Sequence, residues 1–382
     1  MKYAKTIIVA LMSCIAATCY AQWTQNGYYR VLNQSTERYI TIIDNTAKVS
    51  TVSTSVDMGA LQTLKKFDNV VSNPASIIYI RYEKSPNQFS LASQGTDTRK
   101  ITGQYLTIVK SSTNSNAYWA YGSSNGMTIY LSDTKSLRET SEVGSNSGKN
   151  DPERNWYILP LQKDVEKQYF GITPEIEYNG KYYATLYAYF PFNLGDGMKA
   201  YSIVNSNNQA AVYKEITGTI PIGTPVLIEC SSPTADGNRI DIVNDDVAAL
   251  SGNKLVGQWF CSHKDGHINR KEYSASTMRV LGLKKDGKLG FIIAPSTYLS
   301  QDNGKYYLPA NKAYLPVLSS SADELTLMTE DEFSGINTIS KEETHNSVVY
   351  TLTGTLIRKR DESSGNLAKG IYIINGKKVI VQ

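Results

Sequence analysis

The chain has three histidines, His263, His267 and His345, so a serine or cysteine nucleophile would have few bases to work with. His263 and His267 flank Lys264-Asp265-Gly266, with Cys261 two residues upstream. Imidazole and thiolate are zinc donors, and on spacing alone these three form a candidate ligand set. Gly266 opposes the regular helix that would bring both rings to one face, and Lys264 adds positive charge, so the reading preferred is a solvated hairpin loop without metal. Asp245 and Asp246 are acidic candidates for a cation or for hydrolysis, yet adjacent residues on a helix project about 100° apart. No Walker loop or zinc-protease helix occurs, and no catalytic residue, metal or cofactor is expected. A glycosidase carboxylate pair is defined by a distance in space, which leaves no mark in a sequence.

The run Ala117-Tyr118-Trp119-Ala120-Tyr121-Gly122 offers a different chemistry. Aromatic rings stack on apolar faces while a phenol finds a polar partner, which suits sugars. Tyr118, Trp119 and Tyr121 are therefore the candidate carbohydrate-binding residues. Strand alternation puts Trp119 on one face and Tyr118 with Ala120 on the other, so part of the trio faces a ligand. The competing reading is a core Trp with surface Tyr. Tyrosine is abundant throughout, 27 residues against 8 Phe and 4 Trp, as half-buried strands prefer.

Positioning such groups takes several elements, and 382 residues are enough for two or three domains, each with a core. The net charge of +4 arises from 39 basic and 35 acidic residues without long runs, so no electrostatic footprint for nucleic acid is present. Lys2 and Lys5 precede an apolar stretch from Ile7 to Ala17 that ends in Cys19-Tyr20-Ala21. That pattern reads as a secretory signal peptide over residues 1–21, cleaved between Ala21 and Gln22. The alternative is a lipoprotein site at Cys14. The apolar part falls short of the about 20 residues that span a bilayer, and no transmembrane segment is expected elsewhere. After cleavage Cys230 and Cys261 remain, a pair that in an exported chain favours a disulfide, with two buried thiols as the alternative.

In residues 22–163, Tyr29-Arg30-Val31-Leu32-Asn33 and Arg38-Tyr39-Ile40-Thr41-Ile42-Ile43 read as a hairpin. A related phrase returns at Gln104-Tyr105-Leu106-Thr107-Ile108-Val109, and Asn155-Trp156-Tyr157-Ile158-Leu159-Pro160 closes the region. Met58, Leu61, Leu64 and Phe67 recur every third residue, which predicts a short amphipathic helix between strands. These phrases resemble a ricin-type β-trefoil lectin domain, a likeness that implies sugar binding, although the Gln-x-Trp signature is absent.

Residues 164–333 show runs at 182–190, 199–204, 211–216, 225–230, 239–243, 289–294 and 312–318, separated by Gly and Asn turns, which predicts an antiparallel sandwich or barrel, with a β-sandwich preferred. Asp245 to Leu250 reads as a short helix led by acidic residues. The wording Tyr183-Ala184-Thr185-Leu186-Tyr187, Met198-Lys199-Ala200-Tyr201 and Thr219-Ile220-Pro221-Ile222-Gly223-Thr224-Pro225 resembles a module of secreted and surface proteins of Bacteroidetes.

Residues 334–382 contain Val348-Val349-Tyr350-Thr351-Leu352-Thr353-Gly354 and then Lys369-Gly370-Ile371-Tyr372-Ile373-Ile374 before Asn375-Gly376, the favoured type I′ hairpin turn. This tail resembles the C-terminal sorting domain of type IX secretion, which implies outer-membrane secretion machinery as a partner and the outer cell surface as destination. The expectation is an all-β chain: trefoil-like domain, β-sandwich module and small C-terminal β-sandwich. Its expected role is non-catalytic carbohydrate binding at the surface. The alternatives are a structural or adhesive surface protein with protein partners, or a polysaccharide hydrolase.

Overall fold

The computed structural model describes residues 26–42, 62–84, 88–93, 106–124, 127–133, 152–258, 271–334, 337–338, 348–358, 370–374 and 377–381. Their regular structure is nearly all β-strand; helix among the described residues is confined to Glu330–Ser334 and four 3-10 turns. The all-β class is thus observed.

The first region is a closed barrel. Gly27–Asn33 pairs with Ile78–Lys84, and the ring continues through Gln88–Ser93, Leu106–Lys110 and Tyr118–Ser124. The sixth strand, Trp156–Pro160, touches Tyr118 and returns to the first along five residue pairs, from Tyr29↔Pro160 to Asn33↔Trp156. Side chains of alternate residues point inward and fill it: Tyr29 and Val31, Ile78 and Ile80, Phe89 and Leu91, Ile108, Ala120 with Tyr118, and Trp156 with Ile158. Closure leaves the ring without an open edge. The chain visits the six strands in sequence order. The hairpin Tyr39–Ile42 with Gln62–Lys65 extends the first strand, and Met127–Tyr130 extends the fifth. Residues 94–105 and 134–151 are outside the described residues.

The amphipathic helix expected around Met58 to Phe67 is corrected. Leu64 lies in a strand opposite Ile40, and Phe67 begins a 3-10 turn, while Met58 and Leu61 are outside the described residues. Cross-strand pairing with Tyr39–Ile42 satisfies the backbone that a helix would have satisfied internally. The fully buried Asp133 clamps this hairpin through Arg38 Nε at 2.9 Å and the Thr36 hydroxyl.

The barrel leans on the central module. Tyr28 lies against Phe190, within a train of rings that continues to Phe170 and Phe192, and Ile77 belongs to the same core. Arg30 faces out of the barrel yet is fully buried there. Its guanidinium donates to the carbonyls of Tyr169 (2.9 Å), Val70 and Val71 (both 3.2 Å) and to the Ser76 hydroxyl (2.5 Å).

In the module, Ile176–Tyr178, Lys181–Leu186, Val226–Cys230, Lys199–Ser206, Ala210–Ile216, Glu324–Met328, Leu289–Ile292 and Met278–Leu283 follow one another in a single sheet. Two further strands, Ala313–Pro316 and Val256–Gly257, complete it. The sheet curls until Ile176–Tyr178 lies beside Met278–Leu283. One face of its first strands, with Ala184, Leu186, Val226 and Ile228, packs on the phenylalanine core; the other face looks into the curl. All pairings are antiparallel except Ala210–Ile216 with Glu324–Met328. Residues 245–250 form no helix, which corrects the expected one. They are mostly exposed, Leu250 included, and a helix that short needs tertiary packing to persist.

At the C-terminus Asn337–Thr338, Lys377–Val381, Gly370–Ile374, Val349–Thr351 and Leu356–Arg358 form one five-stranded sheet. Ile374 pairs with Lys377, so two residues separate the strands, as the expected hairpin requires; Asn375 and Gly376 themselves are outside the described residues.

Candidate functional site

The aromatic run on Tyr118–Ser124 divides as alternation demands. Tyr118 and Ala120 point into the barrel, where Tyr118 is buried. Tyr118 therefore leaves the candidate binding surface, which corrects its assignment, and the reading of Trp119 as the core residue is inverted. Trp119 and Tyr121 lie half-buried on the outer face and are joined by Tyr130, which pairs opposite Tyr121 across the hairpin. Ring centroids are 5.3 Å apart for Tyr121 and Tyr130 and 6.2 Å for Trp119 and Tyr130. The buried Arg154 guanidinium lies 4.7 Å from the Tyr130 ring centre and steadies it by cation–π attraction.

Polar groups surround this outer face. Trp119 Nε1 donates to Asn155 Oδ1 at 2.7 Å, and the Asn155 amide donates to Gln34 at 2.9 Å and Thr113 at 3.3 Å. Asn114 donates to the same Gln34 oxygen and to the Tyr157 hydroxyl, both at 3.1 Å. Rings flanked by amides are an arrangement that can stack on a sugar and exchange hydrogen bonds with its hydroxyls. Tyr130 was not singled out in the sequence; the signal for it is the register of the Tyr118–Ser124 hairpin.

A second concave place lies inside the curl of the central sheet, a cleft of about 200 Å³. Tyr183, Tyr201 and Tyr213 line it with Glu229. Tyr183 sits directly opposite Glu229 in the register, and Leu227, opposite Tyr201, shares the face of Glu229 on its strand. The Glu229 carboxylate accepts from Lys181 Nζ at 2.5 Å and from the Tyr201 and Tyr183 hydroxyls at 3.3 and 3.4 Å. Burial, reinforced by the Glu229 charge, pushes the Tyr183 phenol up to about 12 and raises Tyr201 also. Tyr213 is raised as well, by burial first and then by Glu332 and Glu229. All three are therefore hydrogen-bond donors at neutral pH. No sequence motif marks this cleft; Tyr183, Glu229, Tyr201 and Tyr213 come from four adjacent strands, and Leu289, Thr326 and Leu327 from further round the sheet complete the lining.

The other candidates fall elsewhere. Asp245 and Asp246 are exposed in an extended segment. Cys261, His263, His267 and His345 are outside the described residues, as are Ala21, Gln22 and Lys369. Gly370, Ile371 and Tyr372 lie in the central strand of the C-terminal sheet, next to Lys377–Val381 and Val349–Thr351. Cys230 is a free thiol, buried on the core side with Val226 and Ile228, and burial pushes it up to about 12. The disulfide reading is thus corrected to a buried thiol at Cys230, because its strand aims the side chain into the phenylalanine core. Among the described residues no group of three His, Cys, Asp or Glu could hold a metal ion. No helix of the described residues is long and apolar enough to cross a membrane.

No protein-family model matches this chain, and neither does any curated protein. A mosquitocidal holotoxin is similar among solved structures, at 13% identity and a TM-score of 0.27, over 77% of this chain and 34% of the toxin. The chain spans about a third of that toxin's length, and a likeness so slight carries no argument.

Proposed function

We propose that the protein is a non-catalytic carbohydrate-binding protein, exported and displayed on or released from the outer cell surface. In this reading residues 22–163 are the lectin-like domain and residues 334–382 are the sorting signal for type IX secretion. The observation that supports it is the outer barrel face where Trp119, Tyr121 and Tyr130 gather beside Asn155 and Gln34. Rings held by neighbours lose little freedom on binding, which favours a stacked ligand.

A glycan array with the full mature chain tests it. Reproducible binding is expected, weakened about tenfold, equivalent to about 1.4 kcal/mol, by Trp119→Ala. Trp119→Phe retains a stacking ring without the bond to Asn155 and should lie between the two. A silent array with adhesion to cells retained would replace the lectin reading with that of an adhesive protein recognising other proteins.

A further inference from the structure

The cleft inside the curled sheet contains a carboxylate that the packing of the sheet does not require. Leu227, two residues before Glu229 on the same strand and face, shows what an apolar lining would be. Glu229 is instead nearly buried, its side chain 13% exposed, and burying a carboxylate costs free energy unless it is well partnered. The two phenol bonds to it, at 3.3 and 3.4 Å, are longer than the usual optimum for hydroxyl donors, so the carboxylate retains accepting capacity. Lys181 offsets its charge, and the exposed Lys288 adds a further positive charge to the lining. Tyr201 and Tyr213 meet edge to face at 5.2 Å, and leucines form the floor. At about 200 Å³ the cleft is smaller than the roughly 300–1,000 Å³ of sites for drug-sized ligands, and its size suits one ring.

From this geometry we infer that the cleft binds a single neutral pyranose residue. The C–H face of the sugar lies on the tyrosine rings, one hydroxyl donates to Glu229, and a neighbouring hydroxyl donates to the phenol oxygen of Tyr201 or Tyr183, whose own proton stays on Glu229. This is a second sugar site, separate from the outer barrel face. It stands whether or not the barrel binds sugar.

Isothermal titration of the full mature chain with methyl glycosides of glucose, galactose, mannose, xylose and N-acetylglucosamine tests the inference, with choline as a cationic control. At least one glycoside should bind, with Glu229→Gln weakening it by at least about tenfold and Tyr201→Phe weakening it less. Trp119→Ala should leave this binding unchanged, so that the two sites fail or succeed independently. If Glu229→Gln does not fold, as judged by its circular dichroism, Tyr201→Phe, which removes one hydroxyl and keeps the ring, decides the matter alone. Choline binding without glycoside binding would overturn the inference in favour of a cation cage. So would a folded chain that binds none of these glycosides, or binding that neither cleft substitution weakens.

Discussion

Arg30 shows what a single residue can conceal. Alternation in Tyr29-Arg30-Val31 correctly sends Arg30 out of the barrel, and an outward arginine normally meets water. Here it meets the central module and is fully buried among carbonyls of Val70, Val71 and Tyr169. A period of two tells which side of a strand a residue takes; what covers that side is a tertiary fact. The same limit applied at Trp119, where face was legible and depth was not. Burial lowers the Arg30 pKa to about 10, which still leaves the guanidinium charged at neutral pH. Arg30→Met should cost about 2–4 kcal/mol, because it strands several buried carbonyls, with the loss read from urea denaturation. Arg30→Lys should recover little, since one ammonium cannot reproduce the planar fork that reaches four acceptors. Wild-type stability in the methionine variant would show the guanidinium to be energetically idle.

Among elements, the strands that were legible are those with a clean period and turn residues on both sides, such as Lys199–Ser206 and Ala210–Ile216. Met278–Leu283 and Glu324–Met328 were not anticipated, and both lie in the part of the sheet that completes the curl. The cleft was illegible for that reason: Thr326 and Leu327, which line it together with Tyr183, Tyr201, Tyr213 and Glu229, lie on the unanticipated Glu324–Met328. Its phenols give the curl a pH signature. Tyr183, Tyr201 and Tyr213 have folded-state pKa values raised above the unfolded value of about 10. Their contribution to stability is fully present below that value and is lost as pH rises through the folded one, near 12 for Tyr183. Cys230 acts with the same sign and opens the window lower, near 8.5. Urea midpoints should therefore fall as pH climbs from about 8.5 to 12. Glu229→Gln should bring the late phenolate absorbance to lower pH, because the Glu229 charge helps to raise Tyr183 and Tyr201. A midpoint that rose across this window would contradict the assignment.

For the whole molecule, the β class was readable from turn spacing and strand composition, with three regions expected in order. The intimacy of the first two was not. Tyr28 and Ile77 share a core with Phe190, so the boundary near residue 163 is a change of sheet rather than a gap in packing. The C-terminal sheet and its turn differ: among their described residues Val349 and Ile374 are buried, while Leu352, Leu356, Ile357 and Ile371 are exposed. A tail that shares so little core should be removable. Truncation after Ser334 should leave the melting of the remainder unchanged while the protein stays in the periplasm, as cell fractionation would show. Surface display of the truncated chain would remove the tail from its proposed role as an address.

The barrel's manner of closing governs when it can fold. Asn33 pairs with Trp156, so the ring is sealed between its first strand and its last. Such distant pairing gives a high contact order, and loop entropy must be lost before the contacts repay it. A chain emerging from its N-terminus therefore cannot complete the barrel until Pro160 is out, and Gly27–Asn33 waits without the neighbour that seals the ring. A delay of this kind would leave the first strand open while much of the chain has yet to follow, as the proposed export requires.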